Sequence, residues 1–183
     1  MRPYQKILFP VIVAAQLFVL VFMIAKQELL LANGAKVLLK CEPIDPRSLF
    51  SGDYVNLNYE ISTIEHDIIS KSNLKDIANL EGKDIYVALR LRANDRHCNI
   101  AAVSDNLAEL KQKYSTVIRG RVKWADVDEL RVKYGVESYF VPQGEGKIIE
   151  KSLDNVSVEV SISDNGDSAI SKLFLDNQEV KFY

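Results

Sequence analysis

Covalent or metal chemistry in this chain would have to rest on very few side chains. There are two histidines, His66 and His97, and two cysteines, Cys41 and Cys98. Each histidine lies among residues that read as loop or turn, and neither stands at metal-ligand spacing from another candidate. His66-Asp67 suggests a proton relay, but no serine or cysteine sits in a nucleophile elbow. The cysteines leave two arrangements open. An oxidising compartment permits a Cys41–Cys98 disulfide, while the apolar stretch around each suits a buried thiol. The expectation is therefore no catalytic residue, no metal and no cofactor.

Polar side chains that suit binding cluster elsewhere. Asp45, Arg47, Gly52, Asp53 and Tyr54 fall within ten residues of one another, around a Gly-Asp turn that leads straight into a strand. Glycine permits a positive φ there, and the aspartate accepts local backbone N–H bonds. Along residues 53–62, Val55, Leu57, Tyr59 and Ile61 share one face, while Tyr54, Asn56, Asn58 and Glu60 share the other. That is the strict period of two of a half-buried strand. Leu57 and Tyr59 are thus expected in the core. Tyr54 either packs over the Pro43–Pro46 turn or joins Asp45, Arg47 and Asp53 in a binding rim. A second run, residues 134–146, holds Tyr134, Gly135, Tyr139, Phe140, Val141, Pro142, Gly144 and Gly146. Its glycines before a predicted helix hint at an anion site, but the lysine and hydroxyl of a phosphate loop are missing, and Glu145 opposes an anion. A structural turn is the expectation.

The element that positions all of this is the first. Residues 7–25, ILFPVIVAAQLFVLVFMIA, contain no charged side chain and just reach the length of roughly 20 residues that spans a bilayer. Gln16 is the strongly polar member, and Pro10 lies near the start, where a missing N–H costs least. A cleaved signal peptide would have a shorter apolar core. Residues 1–6 then form a short cytoplasmic tail, and 7–25 a single transmembrane helix acting as a signal anchor. Residues 26–35 form a juxtamembrane segment that ends at Asn33-Gly34, and 36–183 an extracytoplasmic domain. Arg2, Lys6 and the amino terminus before the helix favour the N-terminus inside. Beyond Lys26 the chain carries 20 Lys and Arg against 25 Asp and Glu. That acidic balance argues against a nucleic-acid surface, and a span free of ionisable groups offers no ion path.

The domain reads as α+β and β-rich. Predicted strands cover 36–41, 53–62, 84–92, 97–103, 116–124, 156–162 and 169–175, with 180–183 last. In the strand at 84–92, Ile85, Val87, Leu89 and Leu91 are expected inward. Residues 63–82 read as a loop with a helical turn or two. Asp126 is expected to start a short helix running to about Tyr134 and ended by Gly135, and 146–153 to form another. Turns are expected at Asn94-Asp95, at 164–167 and at Asp176-Asn177. A mainly antiparallel barrel or sandwich on one transmembrane helix would manage so many strand edges best.

Residues 52–59, Gly-Asp-Tyr-Val-Asn-Leu-Asn-Tyr, match every fixed letter of the signature of the GDYXXLXY family of membrane-anchored bacterial proteins. The run Tyr134–Gly146 is similar to a second stretch of that family, with Gln143 where a glutamate is usual. The resemblance spans most of the chain beyond the helix. It implies a single-span anchored protein of the cell envelope, of a kind often encoded beside or fused to polytopic membrane proteins, and it brings no activity. The expected function is a non-enzymatic binding or assembly partner of a polytopic membrane protein. The alternatives are a ligand-sensing module and an envelope hydrolase acting on peptide or glycan. Bacterial signal peptidases are similar in pairing an anchor with a β-rich domain and a Gly-Asp turn, and Ser48 and Ser51 lie close to Gly52-Asp53. The serine–methionine–proline context of those enzymes is missing here.

Overall fold

A helix too apolar to be left in water leads the chain. The computed structural model of the protein describes residues 3–43, 54–72, 74, 77–93, 95–142 and 155–181. Helix α1 (Pro3–Asn33) runs unbroken through the apolar segment and the juxtamembrane residues. Its stretch Leu8–Asn33 is long and apolar enough to cross a membrane, and the most apolar part is not buried against the rest of the chain.

The helix stops where Gly34 donates its N–H to the Leu30 carbonyl at 2.9 Å. The glycine is required by proximity, since a Cβ there would lie 2.6 Å from the Leu30 oxygen and 3.0 Å from the Ile162 nitrogen. The last turns dock on the β domain. Leu30 is buried, Ser161 Oγ reaches the Leu31 carbonyl at 3.5 Å, and Lys26 Nζ meets Asp167 at 2.9 Å. Asp167 also pairs with Arg119. Lys26 is the larger influence holding the Asp167 carboxyl below its ordinary value, with Arg119 adding to it.

Beyond the helix the domain is built from two five-stranded antiparallel sheets and a short ribbon. The first sheet has the order β12 (Gln178–Glu179), β11 (Ser168–Leu175), β10 (Val156–Ile162), β1 (Ala35–Glu42), β3 (Asn58–Tyr59). The second has the order β4 (Thr63–Glu65), β8 (Glu129–Lys133), β7 (Thr116–Ala125), β5 (Asp84–Leu91), β6 (Cys98–Ser104). The ribbon pairs β2 (Tyr54–Asn56) with β9 (Ser138–Phe140).

The sheets curve into a nearly closed barrel. At one seam Leu38 bridges His97; at the other Arg119 donates its N–H to the Gly166 carbonyl at 2.9 Å. One continuous core fills the inside, drawn from Leu39, Val55, Tyr59, Ile64, Ile85, Ile118, Leu130, Val158 and Leu173 among others. The alternation of β1, with Val37, Leu39 and Cys41 inward, is the one its sequence predicts. Helix α2 (His66–Ile69) and helix α3 (Leu107–Lys111) are short. Leu110 of α3 covers Ala88 and Val117 on the outer side of the second sheet.

Several expectations are corrected. The run from Tyr54 to Ser62 is not one strand. Ser62 Oγ accepts the Tyr59 N–H at 3.3 Å and closes a 3-10 turn over Glu60–Ser62, which carries the chain from the first sheet to the second. The loop expected at 63–82 contains β4, paired with β8 from Thr63–Arg131 to Glu65–Glu129. The helix expected from Asp126 is strand β8, with Leu130 and Val132 buried and their neighbours outward. Asp126 instead closes a turn, its N–H donating to the Glu129 carbonyl at 2.9 Å. So short a helix is marginal alone, whereas β7 pairs with β8 from Arg121–Lys133 to Ala125–Leu130, with one register shift between Val122 and Trp124. Leu91 is exposed: the ladder of β5 with β7 ends at Leu89–Thr116, so Leu91 lies beyond the part of the sheet that the core covers. The final strand lies at Gln178–Glu179, after Asp176 and Asn177 turn the chain with φ of 50° and 64°. The helix expected at 146–153 lies outside the described residues.

Candidate functional site

Both motifs meet at one place, and tyrosine hydroxyls tie them together. Tyr59 ends the first motif inside the core with no exposed surface, and its hydroxyl donates to the Val136 carbonyl at 2.5 Å. Tyr134 opens the second motif, nearly as buried, and its hydroxyl donates to the Ile61 carbonyl at 2.5 Å. Each segment thus supplies the donor that the other segment's buried backbone needs. A buried carbonyl without a partner is costly, so the exchange satisfies two acceptors that the 3-10 turn and the bend at Gly135 take out of the sheets. The Leu57 N–H, donating to the Glu137 carbonyl at 2.7 Å, and the pairing of Val55 with Tyr139 complete the junction. Burial pushes both tyrosine hydroxyls far above their ordinary value, so they stay protonated donors. Neither is a general base.

Two residues that the sequence did not single out make the junction fit. Glu137 folds its carboxylate back onto the N–H groups of Tyr134, at 2.5 Å, and Gly135, at 3.0 Å. Gly120 on β7 leaves the space the Tyr134 ring occupies, since a Cβ there would stand 2.9 Å from the ring and 2.3 Å from Val132. A glutamate three residues beyond a tyrosine and a glycine inside a strand are the available signals, but neither says what it touches.

The outer side of the junction is different. Tyr54 and Phe140 are cross-strand partners whose rings meet edge to face, with centroids 5.4 Å apart. Tyr54 is 54% exposed and Phe140 60%. Tyr54 therefore packs on Phe140 and projects into solvent. Of the other expected rim residues, Asp45, Arg47, Gly52 and Asp53 lie outside the described residues, as do Gly144 and Gly146. Val141 is buried, Tyr139 is half-buried, and Pro142 is exposed.

A polar chain crosses the outer surface of the barrel at the β1–β6 seam. Glu60 receives Lys40 at 2.9 Å and Arg92 at 2.8 Å, and Arg92 approaches Asp95 at 3.6 Å. Asp95 contacts His97 Nδ1 at 2.7 Å, and His97 Nε2 contacts Ser157 Oγ at 2.7 Å. Burial raises the Glu60 carboxyl, but the Lys40 and Arg92 contacts outweigh it and hold the group below its ordinary value. The His97 contact holds the Asp95 carboxyl down.

The last three residues of this chain have the spacing of a serine–histidine–carboxylate relay. However, Ser157 is 7% exposed, and its backbone is enclosed by paired strands, β1 on one side and β11 on the other. That leaves no free backbone donors beside it for an oxyanion. Ser48 and Ser51 lie outside the described residues, and His66 contacts the Val127 carbonyl at 3.1 Å. Cys41 and Cys98 are buried free thiols, and burial pushes the Cys41 thiol up to about 12, far from a reactive thiolate. Among the described residues, no group of His, Cys, Asp or Glu could hold a metal ion.

The fold and the junction define a class: a β-rich, nearly closed barrel led by one long apolar helix and braced where two tyrosine-bearing motifs cross. Within that class the chain belongs to the GDYXXLXY protein family, whose model matches residues 16–173. Comparison with curated proteins and with solved structures finds no match.

Proposed function

We propose that this chain is a single-pass cell-envelope protein, anchored by α1 with its N-terminus inside, and that its extracytoplasmic domain serves as a non-enzymatic binding partner of a polytopic membrane protein. The observation that carries the reading is the division of labour at the motif junction. Tyr59 and Tyr134 are consumed by folding, while Tyr54 and Phe140 stand exposed as an aromatic pair. Exposed paired aromatics are typical anchors of protein interfaces. Asp45, Arg47, Gly52 and Asp53 precede Tyr54 in the sequence and lie outside the described residues; the reading assigns them the polar part of the binding rim.

Photo-crosslinking from Tyr54 in intact membranes tests this. The expected result is stoichiometric capture of one multi-spanning protein, lost on Arg47→Ala or Phe140→Ala at unchanged melting temperature. Repeated capture of nothing would end the reading.

The Asp95–His97–Ser157 spacing favours a second reading, an envelope hydrolase. A fluorophosphonate probe separates the two. Labelling that disappears in both Ser157→Ala and His97→Ala would establish the hydrolase, whereas the binding reading expects no labelling.

A further inference from the structure

A glutamine lies at the midpoint of the apolar segment 7–25. Its carboxamide offers two donors and an acceptor oxygen. Among the described residues it has no partner, and Gln16 is exposed on α1. At 1.5 Å per residue it sits about 14 Å from the end of that segment, too deep for its side chain to reach either headgroup layer. Polar side chains at such depth are satisfied by other helices.

The domain indicates where that helix lies. Residues 14 apart on a helix return to within about 40° of the same side, so Gln16 and Leu30 share a side, with Met23 between them. That is the side the domain overhangs. Leu30 is buried against it and Gly34 abuts Ile162, whereas Leu29, about 100° around the helix from Leu30, is 62% exposed. The docking contacts of Lys26 and Leu31 hold this arrangement with no flexible linker between span and barrel.

We infer that Gln16 is the polar contact of a transmembrane helix interface, and that the partner helix lies directly beneath the β domain. The inference rests on the membrane-anchored reading above. A second copy of the chain does not fit. A two-fold interface uses the same face of both copies, which would bring both Leu30 sides, and hence both domains, onto one axis at one height. The occupant that fits is a helix of a different membrane protein, one with a hydrogen-bonding side chain at mid-bilayer and only a short loop on the domain side.

The test uses the full chain in its own membranes, with a photo-crosslinking amino acid placed in turn at Met23, at Phe18 on the opposite face, and at Tyr54. The expected result is that Met23 captures the same multi-spanning protein as Tyr54, while Phe18 captures lipid. Gln16→Leu should then weaken Met23 capture about three- to thirty-fold and leave the melting of the domain unchanged. Equal lipid capture from Met23 and Phe18, covalent dimers of the chain through Met23, or no effect of Gln16→Leu would each overturn the inference. If Tyr54 captures a partner and Met23 does not, this inference fails and the proposed function stands. If neither does, both fail.

Discussion

The inner and outer sides of the motif junction use the same residue type for opposite ends. Tyr59 and Tyr54 are five residues apart in one short motif. Tyr59 is fully buried and gives its hydroxyl to Val136; Tyr54 lies more than half exposed and meets the Phe140 ring edge to face. Tyr134 and Phe140 repeat the contrast in the second motif. A fixed letter in a signature therefore has two separable physical meanings, a donor that completes a buried backbone and a side chain held out toward solvent. Substitutions that spare one role and remove the other can pull them apart.

The largest expected effect is inside. Leu57→Ala removes a core side chain that is 2% exposed and should cost about 2–5 kcal/mol through lost burial and a residual cavity. Chemical denaturation of a soluble domain beginning near Gly34 measures it. A loss under about 1 kcal/mol would show that the motif strand is not core.

Next comes the hydroxyl exchange. Tyr59→Phe strands the Val136 carbonyl, and Tyr134→Phe strands the Ile61 carbonyl, each costing about 1–3 kcal/mol. Because the two bonds brace the same pair of segments, the double variant should lose less than the sum of the singles. Strict additivity in a double-mutant cycle would mean the two bonds act independently.

The polar chain at the β1–β6 seam is expected to matter less. The Glu60 carboxyl is held below its ordinary value of 4.5, so its contribution is complete above that value and disappears as pH falls through the lower folded value. Lys40 and Arg92 are both about 40% exposed, and solvent screening limits the effect to about 1 kcal/mol. Glu60→Gln should therefore lower stability at neutral pH and flatten its decline between about pH 5 and pH 3. An unchanged acid profile would remove Glu60 from the account of acid sensitivity.

The smallest effect belongs to the outer aromatic pair. Tyr54→Ala should change stability by only about 0.5 kcal/mol, yet weaken partner capture by about 2 kcal/mol if the side chain anchors an interface. Should Tyr54→Ala unfold the domain as badly as Leu57→Ala, the inner and outer roles collapse into one, and the motif is a folding signature alone.

Much of this was legible in the sequence because local patterns carry it. The charge-free run 7–25, the stop at Asn33-Gly34, the inward set Val37, Leu39 and Cys41, and the turn at Asp176-Asn177 each follow from the type and spacing of neighbouring residues. The pattern misled where a local signal had two solutions. Acidic residues at 126–129 suit a helix start as well as a β-turn, and only the open edge of β7 decides for strand β8. The period of two through 54–61 sorted inward from outward residues correctly, but it could not show that the run divides between the ribbon and the first sheet, or that Ser62 closes a turn that sends the chain on to the second.

Residue type and spacing are enough to specify an apolar helix, a β-rich domain, the inward faces of most strands and the two motif segments. Tertiary structure decided what those segments do to each other. Tyr59 finds Val136 across a separation of 77 residues, and His97 finds Ser157 across 60. Gly120 makes room for a ring from another strand, and Gln16 comes to share a side with the domain only because Leu30 docks on the barrel. Spacing along the chain fixes which way a side chain points within its own element. Which distant backbone it meets depends on how the sheets curve and close, and that is set by the packing of the whole core.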